Sequence, residues 1–261
     1  MADKITAPML RRMRAKGQRI VCVTAYDAAF GGMADAAGVD VILVGDSVGN
    51  TTLGYADTIP VTLAEMVHHT RAVRTGVSRG LLVADLPFGS YNASTSQAVE
   101  SAAALAKAGA DAVKLEGVYP EAIRAIQLMG VPVMGHVGYT PQAKNRFGGP
   151  KVQGRGEEGK IVMDDARAVD AAGVFAIVLE LIPGDLAREI TAAVEAPTIG
   201  IGAGIDCSGE IQVMHDLLGL AESSFHHTKP YLSGRELIVE AFRVYAEEVR
   251  RKDFPGPEQT F

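Results

Sequence analysis

The stretch VDVILVGDSVGN, residues 39–50, decides the fold. Its first half, VDVILVG, is a continuous apolar run closed by glycine, which suits a strand covered on both faces in a parallel sheet. The run ends by presenting Asp46 and Ser47 between Gly45 and Gly49. A carboxylate there does not stay buried and charged without a partner, so Asp46 must meet solvent, a cation or a substrate. In parallel α/β architectures, that end of the strands is where ligands bind.

Outward from this stretch, apolar runs alternate with helix-like segments along the whole chain. Strands are expected at 19–26, 39–46, 80–87, 110–117, 131–138, 174–181 and 197–204, with a weaker eighth at 211–218. Alanine-rich segments with helical spacing lie between them, at 94–108, 119–129, 160–172 and 183–194. Gly38, Gly109, Gly130 and Gly173 stand where a helix ends and the chain must take positive φ. This alternation predicts a (β/α)8 TIM barrel. The alternative is a doubly wound open sheet, but the first strand-to-helix turn lacks a dinucleotide-type glycine fingerprint. Residues 7–16 read as an extra N-terminal helix that could plug the barrel floor, and 237–252 as a charged C-terminal helix. No linker divides the chain, so 1–261 is expected to be a single barrel domain. Two loops are too long for plain connectors, 47–60 and 139–157. The second is basic and carries Gly148, Gly149, Gly154 and Gly156, which makes it a candidate lid.

Composition removes several function classes. The chain has 261 residues, 48% of them hydrophobic, enough for one large barrel. No apolar run reaches the roughly 18 residues needed to span a bilayer. A formal net charge of −6 argues against binding nucleic acid or anionic membranes, both of which need a basic face. The N-terminus has no apolar core after its charges, so it is not a secretory signal. Arg11, Arg12 and Arg14 would suit a mitochondrial leader, yet the first strand follows too closely to leave a removable one. Cys22 and Cys207 form neither a metal spacing nor a disulfide framework. The expected location is cytoplasmic.

In a barrel, polar residues at strand carboxyl ends converge on one mouth. Here they are Asp46 and Ser47, Asp85, Lys114 and Glu116, His136, and Glu180. Lys114 and Glu116 are two apart, so both point to one side of a strand. Three carboxylates gathered together repel unless a cation sits among them, and hard oxygen ligands suit Mg²⁺ better than zinc. Glu180 ends an apolar strand, a setting that raises a carboxyl pKa toward that of a general base. Each residue also has an ordinary role available. Asp46 or Asp85 could serve a turn, Lys114 could pair with Glu116, Glu180 could form a salt bridge, and His136 could be a satisfied core histidine. The adjacent pairs His68–His69 and His226–His227 lack metal-ligand spacing and read as surface residues. GIGAG at 200–204 is only weakly specific for phosphate and could simply let backbone approach a ligand.

A set of motifs then appears in order: VTAYD (23–27), VGDSVGN (44–50), GYADTIPVTLAEM (54–66), ADLPFGSY (84–91), VKLEG (113–117), GHVGYTPQ (135–142), FGGPKVQGRG (147–156), VLELIP (178–183), IGIGAG (199–204) and MHDLLGL (214–220). Together they resemble the ketopantoate hydroxymethyltransferase family over roughly residues 5–222. The resemblance implies a barrel enzyme of pantothenate biosynthesis that uses 5,10-methylenetetrahydrofolate. Its product from 3-methyl-2-oxobutanoate would be 2-dehydropantoate, formed through a magnesium-stabilised enolate. It also implies Asp46, Asp85 and Glu116 as Mg²⁺ positions and Asp46, Ser47, Asp85 and Lys114 as substrate-binding positions. Glu180 matches the proton acceptor. His136 is a further candidate whose role the resemblance leaves open. Small-molecule keto acid and folate are the implied partners, in a cytoplasmic homo-oligomer, often a decamer. Asn50, Met214 and the segment 221–238 depart from the family pattern, leaving the metal and base positions intact. Two other readings compete. A magnesium-dependent lyase of the isocitrate lyase and phosphoenolpyruvate mutase type would want a reactive cysteine in a mouth loop. A barrel kept only for binding would have lost a carboxylate or the base.

Overall fold

The computed structural model describes residues 3–221 and 225–261, and the chain divides into two compact units, Met1–Val213 and Met214–Phe261. The first unit is a closed, all-parallel barrel. It opens with helix α1 (Ala7–Ala15), then alternates: β1 (Ile20–Thr24), α2 (Ala28–Ala36), β2 (Val41–Val44), the short α3 (Val48–Thr51), α4 (Leu63–Gly76), β3 (Leu81–Asp85) and α5 (Thr95–Lys107). Next come β4 (Ala112–Lys114), α6 (Pro120–Leu128), β5 (Val133–Gly138), α7 (Lys144–Phe147), α8 (Gly159–Ala171), β6 (Ala176–Glu180), α9 (Gly184–Ala193), β7 (Thr198–Ile201) and β8 (Gly209–Gln212). Each strand pairs with the next, and β8 closes on β1 through Ile20 and Gly209. The (β/α)8 expectation therefore holds.

The helix ends follow the glycines. Gly38, Gly109, Gly130 and Gly173 have φ of 84, 110, 97 and 94°, a region that residues with a Cβ rarely adopt.

The barrel interior is built by strand parity. Ile20 and Cys22, Val41 and Leu43, Leu81 and Val83, and Ala176 and Val178 alternate inward, and with Ala112, Met134, Ile199 and Ile211 they form one buried cluster. The same alternation carried one step toward the carboxyl ends lands on Thr24, Asp85, Lys114, His136, Glu180 and Ile201. The floor is closed by Ile5, Ala7 and Leu10, which belong to the same cluster, with Leu10 fully buried. The guanidinium of Arg14 anchors α1 by donating to the carbonyls of Ala196, at 2.7 Å, and Thr191. The expected plug is present.

The eighth strand differs from expectation, occupying Gly209–Gln212 instead of 211–218. Only Gly209 and Ile211 are buried in it, while Glu210 and Gln212 lie on the outer face, so no apolar run marks the strand. The second unit begins where that strand was expected to continue, with α10 (Met214–Leu217). Its main element is α11 (Gly234–Arg251), which starts three residues before the expected 237. Tyr231 N–H donates to the Leu217 carbonyl and Gly234 N–H to that of Leu218, tying the two helices together. Leu237, Phe242 and Tyr245 are exposed along α11. Within the divergent segment 221–238, residues 222–224 lie outside the described residues. Among the described residues, no helix is long and apolar enough to cross a membrane.

Candidate active site

The carboxyl ends of the strands bring the expected residues into one buried layer. Asp85 is the last residue of β3 and stands in register with Lys114, the last residue of β4. The Lys114 ammonium donates to Asp85 Oδ1 at 2.6 Å, with both side chains almost fully buried. Lys114 therefore pairs across strands with Asp85, and the intrastrand pair with Glu116 considered above is not the contact made. Asp46 lies just beyond β2, and its backbone N–H donates to Asp85 Oδ2 at 3.0 Å. Ser47 follows it, hydroxyl to hydroxyl with Tyr26 at 2.8 Å, while Thr24 Oγ1 donates to the same phenol oxygen at 3.0 Å.

Glu116 reaches the layer from beyond β4 and is 4% exposed. His136, in the middle of β5, sits between two carboxylates. Its Nε2 is 3.2 Å from Glu180 Oε2 and its Nδ1 is 3.6 Å from Glu116 Oε1. Neither ring nitrogen is directed along a hydrogen bond, so His136 is not the satisfied core histidine. A buried ring with two undirected nitrogens marks a place where a further group can bind.

The electrostatics explain what the layer lacks. Burial first, and then the charge of Asp85, push Asp46 up to about 7, although Lys114 and the Gln142 amide pull the other way. Burial and Asp46 push Glu116 well above the usual carboxylate range. Burial alone would lower Lys114, but Asp85, Glu116 and Asp46 outweigh it and hold the ammonium charged. Burial and the Lys114 charge depress His136 far below the usual imidazole range, which leaves the ring neutral. One ammonium thus serves several carboxylates, and the layer is short of positive charge.

The donor set fits a hard divalent cation in an open site. Among the described residues, no three or more His, Cys, Asp or Glu side chains are gathered so as to hold a metal ion by themselves. Mg²⁺ does not need protein ligands alone, because it keeps several waters and takes substrate oxygens beside its carboxylates.

Three contributors were not singled out from the sequence. Gln142, in the loop after β5, donates from Nε2 to Asp46 Oδ2 at 2.8 Å and from its backbone N–H to Glu116 Oε2 at 2.9 Å. Tyr91 fixes that amide by donating to Gln142 Oε1 at 2.7 Å, and Tyr26 holds Ser47. Both tyrosines and Gln142 fall inside the quoted motifs, but as neutral residues they carried no charge signal.

The loop 139–157 is fastened at both ends of the site. Lys144 pairs with Asp57 of the loop after β2, and Gln153 N–H donates to the Leu181 carbonyl at 2.8 Å. Leu181 has φ of 47°, in the left-handed region that costs a branched residue about 1–3 kcal/mol. It directly follows Glu180, whose carbonyl accepts from Tyr139 N–H at 2.9 Å. The loop's hydrogen bonds thus hold the strained turn that aims Glu180. Of the histidine pairs, His68 is exposed, whereas His69 Nδ1 lies 2.7 Å from the Tyr26 carbonyl. His69 is therefore a packing residue and not merely a surface one. Cys22 lies within β1 and Cys207 is also buried, and burial pushes both thiols up. Neither is the reactive loop cysteine that a lyase of the competing type would want.

Comparison with known proteins agrees with this geometry. The sequence model of the family described as ketopantoate hydroxymethyltransferase matches residues 4–257. The chain is 52% identical to the 3-methyl-2-oxobutanoate hydroxymethyltransferase of Moorella thermoacetica, over 99% of this chain and 98% of the relative. It is 50% identical to that of Chloroflexus aurantiacus, over 98% and 92%. Among solved structures, a phosphonopyruvate hydrolase in complex with oxalate and Mg²⁺ shares the fold. Its TM-score is 0.65 at 14% identity, covering 98% of this chain and 93% of that one.

Proposed function

The chain belongs to the ketopantoate hydroxymethyltransferase family, and on that premise we propose that it transfers a one-carbon unit from 5,10-methylenetetrahydrofolate to 3-methyl-2-oxobutanoate. The product is 2-dehydropantoate. The observation that carries this reading is the single layer of Asp85, Lys114, His136 and Glu180 at the strand ends, with Asp46 and Glu116 beside it.

Asp46, Asp85 and Glu116 would hold Mg²⁺, which when bound polarises the ketone and carboxylate oxygens of an α-keto acid. Asp46, Ser47, Asp85 and Lys114 bind the substrate. Lys114, held charged by its carboxylate neighbours, neutralises oxyanion charge that develops on the keto acid. Glu180 takes the proton from C3 as that C–H bond breaks, and the electron pair moves into an enolate. Neutral His136 lies 3.2 Å from Glu180 and adds no positive charge beside the base. The nucleophilic C3 then forms a bond to the methylene carbon. The donor's C–N bonds to that carbon break, water supplies the hydroxyl oxygen, and tetrahydrofolate leaves. The loop 139–157 acts as a lid that excludes bulk water from the electrophile.

The whole of 1–261 works as one functional domain in a cytoplasmic homo-oligomer, a decamer by the resemblance. The protein with Mg²⁺, 5,10-methylenetetrahydrofolate and 3-methyl-2-oxobutanoate should give 2-dehydropantoate, read by mass spectrometry. Consumption of neither substrate under these conditions would overturn the reading.

A further inference from the structure

Leu181 directly follows the proposed base and holds φ at 47°. Lys252, the other non-glycine residue with positive φ among the described residues, only ends α11. Leu181 ends no helix and has no polar side chain to bond its own backbone, so nothing local favours the left-handed region there. Strain of this kind persists only where the surroundings over-determine it, and it gathers at functional sites.

The surroundings here do so from several elements. In the register of β5 with β6, Gly138 stands opposite Glu180. A Cβ on Gly138 would come within 2.4 Å of the Glu180 carbonyl oxygen and 2.8 Å of Ile182 Cγ2, so β5 touches the chain on both sides of Leu181. The peptide joining Glu180 to Leu181 is held from both neighbouring strands. Its carbonyl accepts from Tyr139 N–H at 2.9 Å, and its N–H donates to the Ile201 carbonyl at 2.9 Å. Beyond Leu181, the Ile182 side chain is buried and fixes the outgoing chain. The Leu181 carbonyl itself accepts from Gln153 N–H at 2.8 Å, and this clamp comes from the lid. Gly154, next to Gln153, is buried where a Cβ would lie 2.6 Å from Leu186 Cδ2, so that end of the lid seats closely on α9.

We infer that Leu181 is a positioning residue that makes the aim of Glu180 depend on lid closure. With the lid shut, the Gln153 bond holds Leu181 left-handed, and Glu180 stays in the layer, 3.2 Å from His136. With the lid released, Leu181 relaxes toward negative φ. Ile182 is anchored, so the Glu180 side of the turn takes up the rotation and the base loses its line to the substrate. Proton abstraction then waits for the lid that excludes water from the reacting carbon. This inference rests on the reading of Glu180 as the base.

The test sets backbone preference against side-chain resemblance. Valine resembles leucine but is poorly suited to the left-handed region, whereas asparagine and glycine adopt it readily. Leu181→Val should slow deuterium exchange at C3 of 3-methyl-2-oxobutanoate by about ten- to a hundredfold, with KM for the keto acid unchanged. Leu181→Asn should exchange at close to the wild-type rate, and Leu181→Gly faster than Leu181→Val. The lid gives a readout that needs no catalysis. Trypsin should cut at Lys151 or Arg155 faster in Leu181→Val than in wild type, and at the wild-type rate in Leu181→Asn. The reverse order, with valine harmless and asparagine damaging, would make Leu181 a packing residue and overturn the inference. Equal exchange in all variants would overturn it too, as would slow exchange in Leu181→Val with lid cutting unchanged. If Leu181→Val does not fold, the asparagine and glycine variants decide by the same criteria. A wild-type protein without exchange would count against Glu180 as the base, while the order of lid cutting would still decide the link between Leu181 and the lid.

Discussion

Gln142 donates to Asp46 Oδ2 at 2.8 Å across 96 residues of sequence, and its own backbone N–H reaches Glu116. One lid residue thereby orients two of the three carboxylates placed at the proposed metal site. Groups that orient ligands from behind typically govern about 10–100-fold in metal affinity or activity. Gln142→Ala should lower Mg²⁺ affinity by that factor, measured by calorimetry in the presence of the keto acid. An unchanged isotherm would show that Asp46 needs no orienting partner.

Glu180 stands apart from the substrate-binding set in what its loss should do. Glu180→Gln keeps the shape and removes the acceptor for the C3 proton. Turnover should fall by about 10²–10⁴, while 3-methyl-2-oxobutanoate and Mg²⁺ bind nearly as in wild type. Parallel loss of binding and turnover would assign Glu180 a structural role instead.

The Lys144–Asp57 pair joins the two long loops, with side chains 33% and 23% exposed. Such a solvent-screened pair adds little to folding, so Lys144→Ala should scarcely change the melting temperature. Its effect should appear in the lid. Trypsin should cut at Arg146, Lys151 or Arg155 faster in the variant than in wild type, and equal cutting rates would remove the pair from the account of lid closure.

Much of this was legible in the sequence because the relevant signals are local. Seven strands announced themselves as apolar runs, since a barrel strand is covered on both faces. Asp85, Lys114, His136 and Glu180 were legible as polar residues ending such runs. The partner of Lys114 was not, because the register that sets it against Asp85 belongs to the pairing of β3 with β4. Gln142 and Tyr91 escaped for a related reason. They are neutral, and their importance lies in contacts with residues distant in the chain. The eighth strand was misplaced because Glu210 and Gln212 occupy its outer face and break the apolar pattern.

Glu210 gives a pH prediction. Burial raises its carboxyl from the ordinary 4.5 to about 7, against the pull of Arg19. The folded state therefore keeps a proton that the unfolded chain releases. Its contribution to stability is full below about 4.5 and is lost as pH rises through about 7. Glu210→Gln stays neutral throughout, so its melting temperature should gain on wild type between pH 5 and pH 8. A constant difference across that range would mean that Glu210 is ionised in the folded protein.

The most direct test of the account is whether the protein removes the C3 proton of 3-methyl-2-oxobutanoate. With the keto acid in D2O and no folate present, proton NMR should show loss of the C3 signal when Mg²⁺ is added and no loss when EDTA replaces it. The same experiment on Glu180→Gln should show the signal retained. A C3 proton that persists in the wild-type protein with Mg²⁺, even after tetrahydrofolate is supplied, would contradict the account.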